Sequence, residues 1–146
     1  MQVLIRQISD KNEERVILEC VEMTKEFEDI KDYALMKGNI LIGYIQSMAY
    51  QLNLADVLYF EAVGEQVFAC TSEEVYEIKN RLYEVEERYK NRKFVRCSKS
   101  VIVNLTQIES FRPALDSKLF ARMKNGEDVV VSRMYAKELK KKIMEV

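Results

Sequence analysis

Histidine is absent from this 146-residue chain, and there are only one proline, four glycines and three cysteines. Each scarcity excludes something. Without histidine there is no imidazole general base, and the Ser-His and Cys-His nucleophile pairs cannot form. Cys20, Cys70 and Cys97 are far apart and odd in number. That argues against a disulfide framework and, with no histidine to help, against a zinc site. It fits a reducing cytoplasm. So few prolines and glycines leave little material for long disordered linkers. No glycine-rich phosphate loop is present either. The chain reads as no enzyme, with no cofactor, no metal and no small-molecule substrate.

A long apolar run is also missing in the strict sense. Residues 38–55, GNILIGYIQSMAYQLNLA, carry no charge and reach a spanning length. Asn39, Gln46, Ser47, Gln51 and Asn53 make them too polar for a transmembrane helix, and β-formers dominate, so two short strands fit better. The N-terminus is short, mixed and soon charged, which is not a signal-peptide pattern. What remains is a one-domain length with 48% hydrophobic and 32% charged residues, which reads as a soluble globular protein. A chain of this size holds a core without staples.

The net charge of −1 hides a split. Residues 1–87 are acidic, whereas residues 88–146 hold 15 Lys and Arg against 6 Asp and Glu. A local basic field of this kind binds phosphate even on a weakly acidic molecule. The plainer reading is a lysine-covered C-terminal helix facing solvent.

Periodicity gives the element order. Residues 2–8 (QVLIRQI) and 15–21 (RVILECV) read as strands, with turn residues between them. A helix follows over 24–37, with Thr24 as its cap and Gly38 at its end. Strands occupy 39–45 and 47–52, and residues 56–71 form a hairpin turning near Gly64. Thr71 and Glu74 match a capping box, with Val75, Ile78, Leu82, Val85 and Tyr89 following at helical spacing. Residues 94–104 return to strand character, and another strand at 107–112 stops at Pro113. Asn125-Gly126 divides a hairpin over 118–132 as a primed turn. Ser132 caps a last helix over 133–144, with Ala136, Leu139 and Ile143 inward. Many strands without regular strand–helix alternation give an α+β, mainly antiparallel, β-rich fold.

Four stretches in this order carry a family resemblance: DVLYFEAVGEQV (56–67), RLYEVEERY (81–89), FVRCSKSVIVNLTQIESF (94–111) and KNGEDVVVSRMYAKELKKKI (124–143). The segment 55–146 resembles a LytTR-type DNA-binding domain. Residues 1–54 resemble the short extension of stand-alone LytTR regulators, not a receiver domain. The resemblance implies an elongated β-rich fold that reads the major groove of duplex DNA with inter-strand loops. It implies a transcriptional regulator, a homodimer on DNA at paired direct repeats, and a small membrane protein as a possible regulator. Three contact regions follow: the tip Gly64-Glu65-Gln66, the stretch Arg96-Cys97-Ser98-Lys99-Ser100, and Ser132-Arg133 with Tyr135.

The expected DNA-binding residues are Gln66, Arg96, Lys99, Ser100, Arg133, Tyr135 and Lys140. Arg133 is the best base reader, because arginine bonds guanine O6 and N7 together and sits here at a helix start. Lys99 suits a base or a phosphate, and Arg96 and Lys140 suit phosphate or solvent. Asn104 ends a strand, where asparagine satisfies backbone groups. The family often carries histidine where this chain has Ser98. Glu65 would repel phosphate unless it accepts from cytosine N4, which leaves Gln66 as the reader at that tip. Cys97, between Arg96 and Lys99, would have a lowered pKa and be oxidisable; the plainer reading is a small strand residue. The alternative function is a protein-interaction module that controls another regulator or a membrane protein.

Overall fold

The structure is a computed structural model and describes residues 1–144. Two compact units divide the chain, Met1–Asn39 and the remainder from Ile40, ahead of the boundary expected at residue 54. In the smaller unit the two expected strands do not form. Residues 2–8 and 15–21 pair with no strand among the described residues, and a 3-10 turn, Lys11–Glu13, lies between them. Asp10 accepts from the Asn12 N–H and fixes that turn. Two strands without a third or a packed face are marginal in water, whatever their β-propensity. The helix does form, as α1 (Lys25–Asn39), and runs through Gly38 instead of ending at it. Thr24 Oγ1 accepts from the Phe27 N–H at its start.

The larger unit begins with the segment that mimics a membrane span. It folds as a hairpin, β1 (Ile40–Ile45) and β2 (Met48–Asn53). Among the described residues no helix is long and apolar enough to cross a membrane. β3 (Val57–Val63) and β4 (Gln66–Thr71) form the next hairpin, with Gly64 left-handed at φ +61°.

The helix expected from Thr71 is instead a strand, β5 (Val75–Ile78), followed by a shorter helix, α2 (Leu82–Tyr89). Thr71 does use its hydroxyl on Glu74, but to close a turn: Oγ1 accepts from the Glu74 N–H and donates to the Glu74 carbonyl. The reciprocal cap sits one element later, where Glu84 accepts from the Arg81 N–H. Ile78 from the strand and Leu82, Val85 and Tyr89 from the helix are all buried in one cluster. Their spacing therefore mimics a single helix. Gly43 lets β5 lie beside β1, since a Cβ there would stand 2.6 Å from Tyr76 Cβ.

β6 (Phe94–Arg96) and β7 (Val101–Asn104) complete a seven-stranded antiparallel sheet in the order β2-β1-β5-β4-β3-β7-β6. A second sheet has the order β10-β9-β8, from β8 (Ile108–Pro113), β9 (Leu119–Met123) and β10 (Asp128–Val131). Its hairpin is not a two-residue primed turn. The Gly126 N–H bonds the Met123 carbonyl, the Met123 N–H bonds Glu127, and only Gly126 is left-handed. That is a three-residue loop with a glycine bulge. The Asn125 side chain is used locally, accepting from the Glu127 N–H. α3 (Arg133–Met144) closes the chain.

Two apolar clusters lie on opposite faces of the large sheet. Phe60, Val85, Tyr89, Phe94 and Ile102 pack under α2. Leu58, Val103, Ala121, Val131 and Leu139 pack between the large sheet, the small sheet and α3. β7 is therefore buried on both faces, and every residue of Val101–Asn104 is inside.

Candidate nucleic-acid interface

The register of the large sheet decides which loops share an end. β3 and β4 turn at Gly64-Glu65, and β7 lies against β3 with Glu61 opposite Val101. The Ala62 N–H then donates to the Ser100 carbonyl at 2.8 Å, so the Gly64 tip and the 97–100 loop stand side by side. The third region joins them through the Ser132 N–H, which donates to the Cys97 carbonyl at 2.9 Å and pins the start of α3 to the same loop. All three regions expected from sequence thus meet at one end of the larger unit.

Their side chains differ in what they offer. Gln66, Lys99, Ser100, Arg133 and Lys140 are exposed, and Tyr135 is half-buried against the core between the sheets. Ser98 accepts from the Ser100 N–H and shapes the loop. Arg96 is placed differently: its guanidinium turns inward, onto Glu86 and the Lys99 carbonyl. Asn104 is far from solvent and serves the fold, as its position suggests.

Lys118 and Lys137 are not among the residues expected to bind DNA, and the fold brings them to the site. Arg133, Lys137 and Lys140 recur at i, i+4 and i+7 on one face of α3. With Lys118, the last residue of the β8–β9 connection, they rim a cavity of about 330 Å³. Among the described residues no carboxylate lines it. Arg133 also sits in the first turn of α3, where the helix dipole favours an anion. The i, i+4, i+7 spacing of the three helix cations is visible in the sequence; the arrival of Lys118 is not.

α2 lies across the large sheet from α3, so the Glu84, Glu86 and Glu87 carboxylates stand on the other face from the basic rim. That separation lets a protein of net charge −1 present a cationic surface to a polyanion.

Cys97 does not have the environment expected for a redox centre. It is fully buried, and loss of hydration pushes its thiol up to about 12, with Arg96 a minor opposing influence. Burial likewise pushes Cys70 up to about 11. A chromogenic disulfide reagent at pH 8 should therefore titrate one thiol quickly, the exposed Cys20, and all three only in denaturant. Rapid reaction at Cys97 in the folded protein would contradict this placement.

Comparison with known proteins supplies the context. The family model described as the LytTr DNA-binding domain matches residues 47–144. An uncharacterized HTH-type transcriptional regulator of Staphylococcus aureus (strain COL) is 33% identical over 109 residues, covering 75% of this chain and 74% of that protein. Its counterpart in strain MRSA252 is 32% identical over the same shares. A solved LytTr DNA-binding domain from Bacillus cereus superposes with a TM-score of 0.67 at 28% identity, covering 70% of this chain and 94% of that one. The staphylococcal relatives are named HTH-type. Here β1–β5 separate α1 from α2, and β6–β10 separate α2 from α3, so the described residues hold no helix-turn-helix pair.

Proposed function

The chain belongs to the LytTR family of DNA-binding domains, and from that premise we propose that it is a transcriptional regulator that reads duplex DNA sequence-specifically with inter-strand loops in the major groove. The carrying observation is the pair of backbone bonds, Ala62 to Ser100 and Ser132 to Cys97, that gathers three loops into one reading edge. Arg133 is the guanine reader, and Gln66 suits adenine N6 and N7 at the neighbouring tip. Lys99 and Ser100 reach a base or a phosphate from the middle loop. Tyr135 and Lys140 follow the backbone, joined by Lys118 and Lys137. Two copies on paired direct repeats give the operator its length, and the DNA-bound form is a homodimer in the cytoplasm. The work is binding alone, with no catalytic step.

The test is selection of bound sequences from a random duplex pool, followed by anisotropy titration in steps of salt. A repeated motif should emerge, and log K should fall linearly with log salt. Lys137→Ala and Lys140→Ala should each flatten that slope by about 1 while the ratio of operator to random binding holds. A pool that emerges unenriched would end the reading.

One observation favours a second role in the same chain, that of a protein-interaction module for another regulator or a small membrane protein. The smaller unit leaves Val3, Leu4, Ile5, Val16, Ile17 and Val21 exposed. Deletion of residues 1–39 separates the roles: operator binding should survive, and co-purification with a partner should not.

A further inference from the structure

Arg96 is an expected DNA-binding residue whose charged group is committed inside the protein. Its guanidinium makes three bonds in two directions. Nε donates to Glu86 Oε2 at 3.3 Å and Nη2 to Glu86 Oε1 at 3.2 Å. Nη1 donates to the Lys99 carbonyl at 2.7 Å. The side chain is only 15% exposed, against 43% for Glu86. A planar five-donor fork can serve a carboxylate and a carbonyl at once, and a lysine ammonium cannot match that fixed geometry.

The loop that Arg96 grips is tied at both ends by backbone. Cys97 bonds Val101 and Ser132, and the Ser100 carbonyl takes the Ala62 N–H. Between those ties lies Lys99, whose side chain is exposed and whose carbonyl is held by Arg96. Glu86 belongs to α2, on the far face of the large sheet from α3. The ion pair thus runs from the acidic side of the molecule to the apex of the central loop.

We propose that Arg96 and Glu86 are positioning residues for DNA reading: the ion pair holds the Lys99 loop in its DNA-reading shape, and Arg96 itself touches no phosphate. This rests on the function proposed above. It reverses the sign of an electrostatic expectation. Glu86→Gln removes a negative charge from a protein that binds a polyanion, and charge alone then predicts tighter binding. The clamp predicts weaker binding to the operator, because one neutral amide cannot accept both guanidinium bonds as a carboxylate does.

The experiment compares the full chain with Glu86→Gln and Arg96→Lys by fluorescence anisotropy, on a selected operator duplex and a scrambled one, at several salt concentrations. Both variants should lose roughly tenfold on the operator, the scale of one charge-assisted hydrogen bond. Scrambled binding and the salt slope should stay as in the parent. Circular dichroism melting confirms that each variant is folded, and Glu86→Gln, at a half-exposed position, keeps the shape and length of the side chain it replaces. Operator binding by Glu86→Gln that equals or exceeds the parent overturns the clamp. So does an Arg96→Lys variant that keeps full operator affinity, which would mark Arg96 as a simple phosphate cation. A parent that prefers neither duplex overturns the proposed function and the clamp together, whereas a selective parent with an indifferent Glu86→Gln overturns the clamp alone.

Discussion

Arg133→Ala should erase discrimination at one base pair of the operator by about 1–3 kcal/mol, the value of a bidentate arginine–guanine contact. The reasons lie in how the side chain is held. Arg133 is exposed, and among the described residues no carboxylate lines the cavity beside it. Its backbone is fixed, because the Ser132 N–H is tied to Cys97 and the Tyr135 and Ala136 N–H groups both bond the Ser132 carbonyl. The helix start adds positive potential where the guanidinium leaves the protein. Arg133→Lys sharpens the test. It keeps the charge and loses the fork, so it should bind scrambled DNA like the parent and still fail to discriminate. Titration of the operator and its single-base variants measures the effect. A loss by Arg133→Ala that is uniform over all sequences would move this residue from base reading to phosphate contact, alongside Lys140.

Local chemistry was readable where a turn or a helix face decides an element. Gly64 and Gly126 mark hairpins because each adopts a left-handed φ at a loop tip. α3 follows its apolar spacing from Arg133 to Met144. The strand β5 was hidden because its buried Ile78 extends the same spacing that Leu82, Val85 and Tyr89 continue in α2. Only its pairing between β1 and β4 makes it a strand, and that pairing is tertiary. Residues 2–8 and 15–21 fail in the opposite way: their β-propensity is real, but among the described residues they have no strand partner. The proposed reading edge shows the same division. Arg133, Lys99 and Gln66 stand out by type and by place near strand ends. Whether a nearby arginine faces solvent or a carboxylate depends on Glu86, ten residues away on a helix, and no local pattern shows that the two meet.

The largest loss of stability should come from a residue that was expected to be structural and is. Asn104 is 1% exposed. Its Nδ2 donates to the Val57 carbonyl at 2.8 Å, and its Oδ1 accepts from the Thr106 N–H at 3.0 Å and the Thr106 hydroxyl at 2.7 Å. The need arises from the sheet itself. β3 pairs with β7 from Tyr59 to Glu61, the β3–β4 register shifts at Val57, and the chain leaves β7 at Leu105 for a 3-10 turn. The Val57 carbonyl is thereby left to a side chain. Asn104→Ala strips the partner from the buried Val57 carbonyl and from the part-buried Thr106 N–H, and at about 1–3 kcal/mol each the cost should be at most about 2–6 kcal/mol, read as a lower urea midpoint with unchanged slope. Asn104→Asp gives the sign of the mechanism. It keeps the acceptor for Thr106 but turns an oxygen toward the Val57 carbonyl, so only the protonated acid can donate there. Burial raises the folded-state pKa of that aspartate above its unfolded value of about 3.9. The variant should then be most stable at low pH, below the unfolded pKa, and lose stability as pH rises through the folded one. A urea midpoint for Asn104→Ala equal to the parent's, with DNA binding lost, would place this asparagine in the groove instead of the core.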